Sequence, residues 1–186
     1  MRALLRILRH VAERRCRCAA RLPGRAPGAL CVFMLVALLG GCGDGGDAAA
    51  AYRAGDYARS FAIYSERARG GDVDATNLVG IHYYLGLGVA RDYALAARNF
   101  EQAALANHAD AQRNLGLMYM NGLGVTQDNQ RAYGWFFQAH TQGNPRARAN
   151  VRFLSDNVTP NAGQKARAWV EEQIRAYAHG EVGNAP

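Results

Sequence analysis

Three observations predict an all-α fold, a solenoid of stacked helix-turn-helix repeats. First, residues 75–110 align with residues 111–146 at a fixed offset of 36, and twelve of the 36 pairs are identical. Second, the identities fall on small, aromatic and turn positions, among them Ala75/Ala111, Gly80/Gly116, Tyr83/Tyr119, Gly86/Gly122, Gly88/Gly124, Asp92/Asp128 and Phe100/Phe136. Small and apolar residues within each unit recur every three to four positions, the spacing of one helical face. Third, no stretch alternates with the period of two that a half-buried strand needs.

The elements follow in chain order. The protein has 186 residues and a formal charge of +7. All of that excess lies in residues 1–41, which hold eight arginines and one acid, Glu13. Residues 42–186 hold 14 basic and 14 acidic side chains. A basic domain made for nucleic acid is therefore not expected. The arginines lead into ALCVFMLVALL (Ala29–Leu39), 11 apolar residues. A bilayer span takes about 20. Eleven is the length of a signal-peptide core, so residues 1–41 read as an export leader.

The leader ends Leu39-Gly40-Gly41-Cys42. This resembles a bacterial lipobox, in which an apolar residue and two small ones precede a cysteine. The resemblance implies cleavage before Cys42 and acylation of its thiol and its new amino group. Each buried methylene contributes about 0.8 kcal/mol, so several acyl chains hold where one is marginal. The expected location is a membrane facing the periplasm. The outer membrane is preferred to the inner, because Gly43 rather than aspartate follows the cysteine. Cys16, Cys18 and Cys31 fall in the leader, so the mature chain keeps only Cys42 and has no disulfide framework. Residues 42–50 are expected to form a short flexible tether, residues 51–180 the solenoid and residues 181–186 a disordered tail.

Ahead of the first full unit the period continues for half a repeat. Asp56, Tyr64 and Ala75 stand 36 positions before Asp92, Phe100 and Ala111. A short helix from residue 48 and a second over Asp56–Arg69 are expected there. In each full repeat, 75–110 and 111–146, the first helix shows Ala-x3-Leu/Val-x3-Tyr on one face. Gly80 and Gly116 on that side let a neighbouring helix approach closely. Asp92 and Asp128 suit N-caps of the second helices, since a carboxylate accepts the free amides of a first turn. Residues 145–156 read as a truncated first helix. Thr159-Pro160 opens a capping helix over 159–179, with Trp169, Val170 and Ile174 facing inward. Stacked repeats need such an end, because an open stack exposes an apolar face.

The pattern A-x3-LG-x2-Y-x2-G-x-GV-x2-D-x3-A-x2-WF-x2-A of residues 111–139 closely resembles the Sel-one-like repeat, a subclass of tetratricopeptide-like (TPR-like) helical solenoids. GDVDA (Gly71–Ala75) and TPNAGQKARAW (Thr159–Trp169) are similar to its junction and its terminal cap. The first unit departs from the family at Asn99, where Trp is usual. The second departs at His140, where a small residue is usual. The resemblance implies a right-handed superhelix that serves as a scaffold or adaptor for other proteins.

Sharper chemistry finds little support. The GLGV pairs follow helices rather than strands, and lack the third glycine or the lysine of a phosphate loop. His82, His108, His140 and His179 show no metal-ligand spacing. Ser60, Ser65 and Ser155 sit in neither GxSxG nor SxxK. No catalytic residue, cofactor, metal or nucleic acid is assigned. By the resemblance, the first helices of the repeats line the concave face. On a helical wheel, Ile81, Tyr84 and Leu85 point away from Ala75, Val79 and Tyr83. Arg113, Leu117, Met120 and Asn121 do the same one repeat later. These seven, with Phe137 at a position usually polar in the family, are the candidate partner-binding residues. They suit an extended or helical peptide of another envelope protein. The competing reading packs them on neighbouring repeats, and Phe137 on the last helix. The expected function is a non-enzymatic protein-binding scaffold, lipid-anchored in the cell envelope. Its rivals are a hydrolase-like periplasmic protein and a regulator anchored by an uncleaved leader.

Overall fold

The computed structural model describes residues 45–181. The leader, Cys42 and all of the expected tail except Glu181 lie outside the described residues. Within them are eight α-helices and no strand. These are α1 Gly45–Arg53, α2 Tyr57–Arg69, α3 Val73–Leu85, α4 Tyr93–Leu105, α5 Ala109–Asn121, α6 Asn129–Thr141, α7 Ala147–Ser155 and α8 Pro160–Ala178. Each helix up to α7 packs on the one before it, while α8 turns back onto α6 and touches α4.

The tether reading is corrected from Gly45 onward. Residues 45–50 belong to α1, with Ala48 and Ala51 buried. Alanine is the best helix former, and Ala48 joins a small core with Tyr64, Ala75 and Val79. The expected half repeat is therefore a complete pair, α1 and α2. Its turn spans residues 54–56, against 86–92 between α3 and α4, so it is four residues shorter.

The long turns show why the GLGV sequence recurs. Gly86 and Gly122 close α3 and α5 in the left-handed conformation. Asp92 then bonds back through its amide to the Tyr83 carbonyl at 3.0 Å, and Asp128 to Tyr119 at 2.9 Å. The two carboxylates cap as expected, Asp92 accepting from the amides of Ala94 and Leu95, Asp128 from those of Gln130 and Arg131. The second glycine of each turn does something else. A Cβ on Gly88 would overlap the Tyr57 carbonyl and lie 2.5 Å from the Ala58 nitrogen. A Cβ on Gly124 would overlap the Tyr93 carbonyl and lie 2.6 Å from the Ala94 nitrogen. Each turn is thus seated on the second helix of the preceding pair.

The first helices are capped by three different side chains spaced 36 apart. Asp72 accepts from the Ala75 amide at 2.9 Å, His108 through Nδ1 from Ala111 at 3.0 Å, and Asn144 from Ala147 at 3.1 Å. The Ala75 amide, and after it the Arg67 side chain, hold the Asp72 carboxyl below its ordinary pKa, against burial, which works the other way. These caps move each unit boundary two residues earlier than 75 and 111.

Phe100 and Phe136 form the middle of the core. A Cβ on Gly80 or Gly116 would stand 2.7 Å from the Phe100 or Phe136 ring, so the glycines admit the rings. At the end of the stack, Thr159 caps α8, Val170 is fully buried and Trp169 meets Trp135 edge-on at 6.2 Å. The seat for α8 is Gly134, where a Cβ would lie 2.7 Å from the Ala166 carbonyl oxygen. One repeat earlier that position is Arg98.

Candidate functional site

The candidate binding residues fall on two different surfaces. Ile81 on α3 and Leu117 on α5 occupy equivalent positions, 36 apart, and both are half-buried. The same register leads to Phe153 on α7, the most exposed large apolar side chain of the described residues at 65%. Phe153 was not among the expected residues, although the period points to it. Tyr84 is half-buried with its ring 5.5 Å from that of Tyr93. Met120 is half-buried against the core, and Leu85 is 49% exposed. Ile81, Tyr84, Leu117 and Met120 therefore pack on the core and still present part of their surface. Asn121 is exposed and bonds back to the Leu117 carbonyl at 2.9 Å.

Polar side chains tie these first helices edge to edge. Asn114 Nδ2 donates to Asn77 Oδ1 at 3.1 Å, joining α5 to α3. Arg113 Nε donates to Asn150 Oδ1 at 3.3 Å, joining α5 to α7. The two bonds are one repeat apart and span the same 37 positions. The result is an apolar row of Ile81, Leu117 and Phe153 beside a line of amides.

Phe137, the separate candidate, does not belong to this face. It lies on a second helix, stacked on Tyr133 at 6.2 Å. The Arg167 guanidinium of α8 sits 4.5 Å from its ring centre. Together with Arg131, which stands 5.1 Å over Trp169, this contact fastens the capping helix.

At the other end of the row a recess of about 330 Å³ opens beside Ile81. Ala49, Tyr52 and Arg53 of α1 form one wall, with Leu78, Ile81 and His82 of α3 opposite and Tyr64 of α2 between. Sequence reasoning expected a short helix from residue 48 but gave none of its residues a binding role, so the recess was not foreseen. The recess is mostly apolar and can take one or two side chains of a partner.

Beneath it lies a buried polar pair. His82 Nδ1 is 2.7 Å from the Leu87 carbonyl, and Nε2 is 3.3 Å from Ser60 Oγ. A carbonyl only accepts, so Nδ1 carries the proton and Nε2 accepts from the Ser60 hydroxyl. Both residues are fully buried, and neither nitrogen meets a carboxylate, so the pair orders the first long turn rather than activating a nucleophile. The equivalent positions hold Ala96 and Met118, then Ala132 and Leu154. Ser60→Ala leaves the Nε2 acceptor buried and unpaired, at a cost of about 1–3 kcal/mol. The double variant Ser60→Ala/His82→Met restores the pattern of the next repeat and is expected to be more stable than the sum of the single changes. A urea double-mutant cycle checks this, and strict additivity counts against the coupling.

Among the described residues, no group of three or more His, Cys, Asp or Glu is placed to hold a metal ion. No described helix is long and apolar enough to cross a membrane.

Comparison with known proteins agrees with this architecture. Residues 73–108 and 109–144 match the Sel1 repeat family model, with the boundaries that the first-helix caps define. Both segments are therefore similar to Sel1 repeats, and such repeats generally serve as protein-interaction scaffolds. Two solved structures share the fold. One is a protective antigen present in uropathogenic Escherichia coli strains that displays an SLR fold, 26% identical, with a TM-score of 0.65 over 72% of this chain and 30% of that one. The other is a Sel1 repeat protein from Oxalobacter formigenes, 29% identical, with a TM-score of 0.55 over 58% of this chain and 44% of that one. The chain spans less than half the length of either. No curated protein matches it.

Proposed function

We propose that this protein is an exported, lipid-anchored scaffold that binds a peptide segment of another envelope protein along its first helices. The observation that carries the reading is the row Ile81, Leu117 and Phe153, which continues the α1–α3 recess across three helices. Such a surface gives apolar sockets at a regular spacing, and the amides beside it can bond a peptide backbone. No reactive group is asked of it. The rigid stack presents the face, and the acylated Cys42 keeps it beside the membrane.

The anchor and the face are tested separately. Labelled palmitate is expected to enter the wild-type chain and to be absent from Cys42→Ser, which also leaves the membrane fraction. Unchanged membrane retention of an unacylated Cys42→Ser chain would favour the uncleaved leader as anchor. For the face, Tyr84→Ala with Met120→Ala is expected to weaken partner labelling in a proximity experiment at least tenfold while the helical circular dichroism is kept. Undiminished labelling would move the site elsewhere.

A further inference from the structure

Resting on that reading of the first-helix face, we propose that its C-terminal half binds an acidic peptide. A carboxylate lies against Arg113 and Arg146, and the adjoining apolar side chain covers Leu117 and Phe153. The argument begins with a change of charge at equivalent positions. Asp74, Asp110 and Arg146 stand 36 apart at the start of the three first helices α3, α5 and α7, so the third reverses the sign of the first two. One turn further on, Asn77 is followed by Arg113. At these positions the α3–α5 junction holds a neutral amide and an acid, while the α5–α7 junction holds two arginines whose like charges act on each other.

That junction holds its two arginines without a close ion pair. Among the described residues, no carboxylate lies within 4 Å of Arg113 or Arg146. Arg113 is half-buried, and its only side-chain partner is neutral, Asn150. Burial, and then the like charge of Arg146, push the Arg113 pKa below its ordinary value, while Asp110 works the other way. Asp110 already accepts from Asn144 Nδ2 at 2.8 Å. The other acid of the row, Asp74, lies 3.1 Å from His108 Nε2. A half-buried cation without a carboxylate in contact favours an incoming anion, and the planar guanidinium fork matches a carboxylate. One helical turn beyond Asn150, Phe153 is the most exposed large apolar side chain of the described residues. A peptide that sets an acid next to an apolar residue meets both demands at once.

The test uses the full-length chain in detergent and a random 12-residue peptide display library. Selected peptides are remade with a fluorophore and titrated by anisotropy. The expected binders are net acidic with an apolar residue next to the acid. Arg113→Gln and Arg146→Gln each weaken them by about tenfold or more, as does Phe153→Ala. The chain carrying Arg113→Glu and Arg146→Glu reverses the preference toward lysine versions of the same peptides. Neutral or basic binders that still depend on Leu117 would overturn the acidic assignment and leave the face intact. Binders indifferent to Leu117→Ala and Tyr84→Ala, or no binders, would overturn the face as well. Sedimentation with phosphatidylglycerol vesicles that is lost in Arg113→Gln/Arg146→Gln would assign the arginines to a lipid surface instead.

Discussion

Gly124→Ala is expected to lower the stability of the domain by more than about 3 kcal/mol. Two separate effects add at this position. Its φ is +69°, where a side chain costs about 1–2 kcal/mol. The new methyl also has no space, because it would overlap the Tyr93 carbonyl and crowd the Ala94 nitrogen. Backbone at the first turn of a capped helix does not move aside as a flexible side chain does. Gly143 supplies the control. Its φ is +85°, and a Cβ there meets nothing within 4 Å. Gly143→Ala should show the conformational cost alone, about 1–2 kcal/mol. Urea unfolding of both variants separates the two effects. Equal losses would mean that the turn does not bear on the preceding pair.

The second large effect is expected at Phe136. Its ring is fully buried and faces Gly116. Phe136→Ala should cost about 3–5 kcal/mol, the removed contacts plus the cavity left behind. Gly116→Ala alone is destabilising too, since its methyl would stand 2.7 Å from the ring. Combined with Phe136→Leu, however, the methyl enters space that the smaller side chain vacates. The double variant should be more stable than the two single losses together predict. Thermal unfolding of the four proteins measures that coupling, and its absence would place the ring elsewhere.

The parts of this fold that were legible in the sequence are those where one chemical solution is repeated. Gly88 and Gly124 share a steric demand that only glycine meets, and Asp92 and Asp128 share a cap, so identity at an offset of 36 exposed both. The first-helix caps escaped because Asp72, His108 and Asn144 perform one task with three side chains. The start of helix α1 escaped for a different reason. Its short turn changes the offset to 32, so that Tyr52 corresponds to Tyr84, and an alanine run after GDGGD has the composition of a linker. The surroundings of Phe137 are set by α8, which lies across α6 through contacts distant in sequence. Phe153 was within reach of the period, but the alignment had faded by that point to Ala147 and Val151.

The seating of each glycine turn on the helix pair before it bears on how such a chain changes length in evolution. Gly88 reaches back 31 residues to Tyr57, and Gly124 reaches back 31 to Tyr93. Both distances are shorter than the 36-residue unit. A duplicated unit therefore arrives with a latch for the neighbour behind it and a seat for the neighbour ahead. Copying one unit in frame repeats the same turn-to-helix junction.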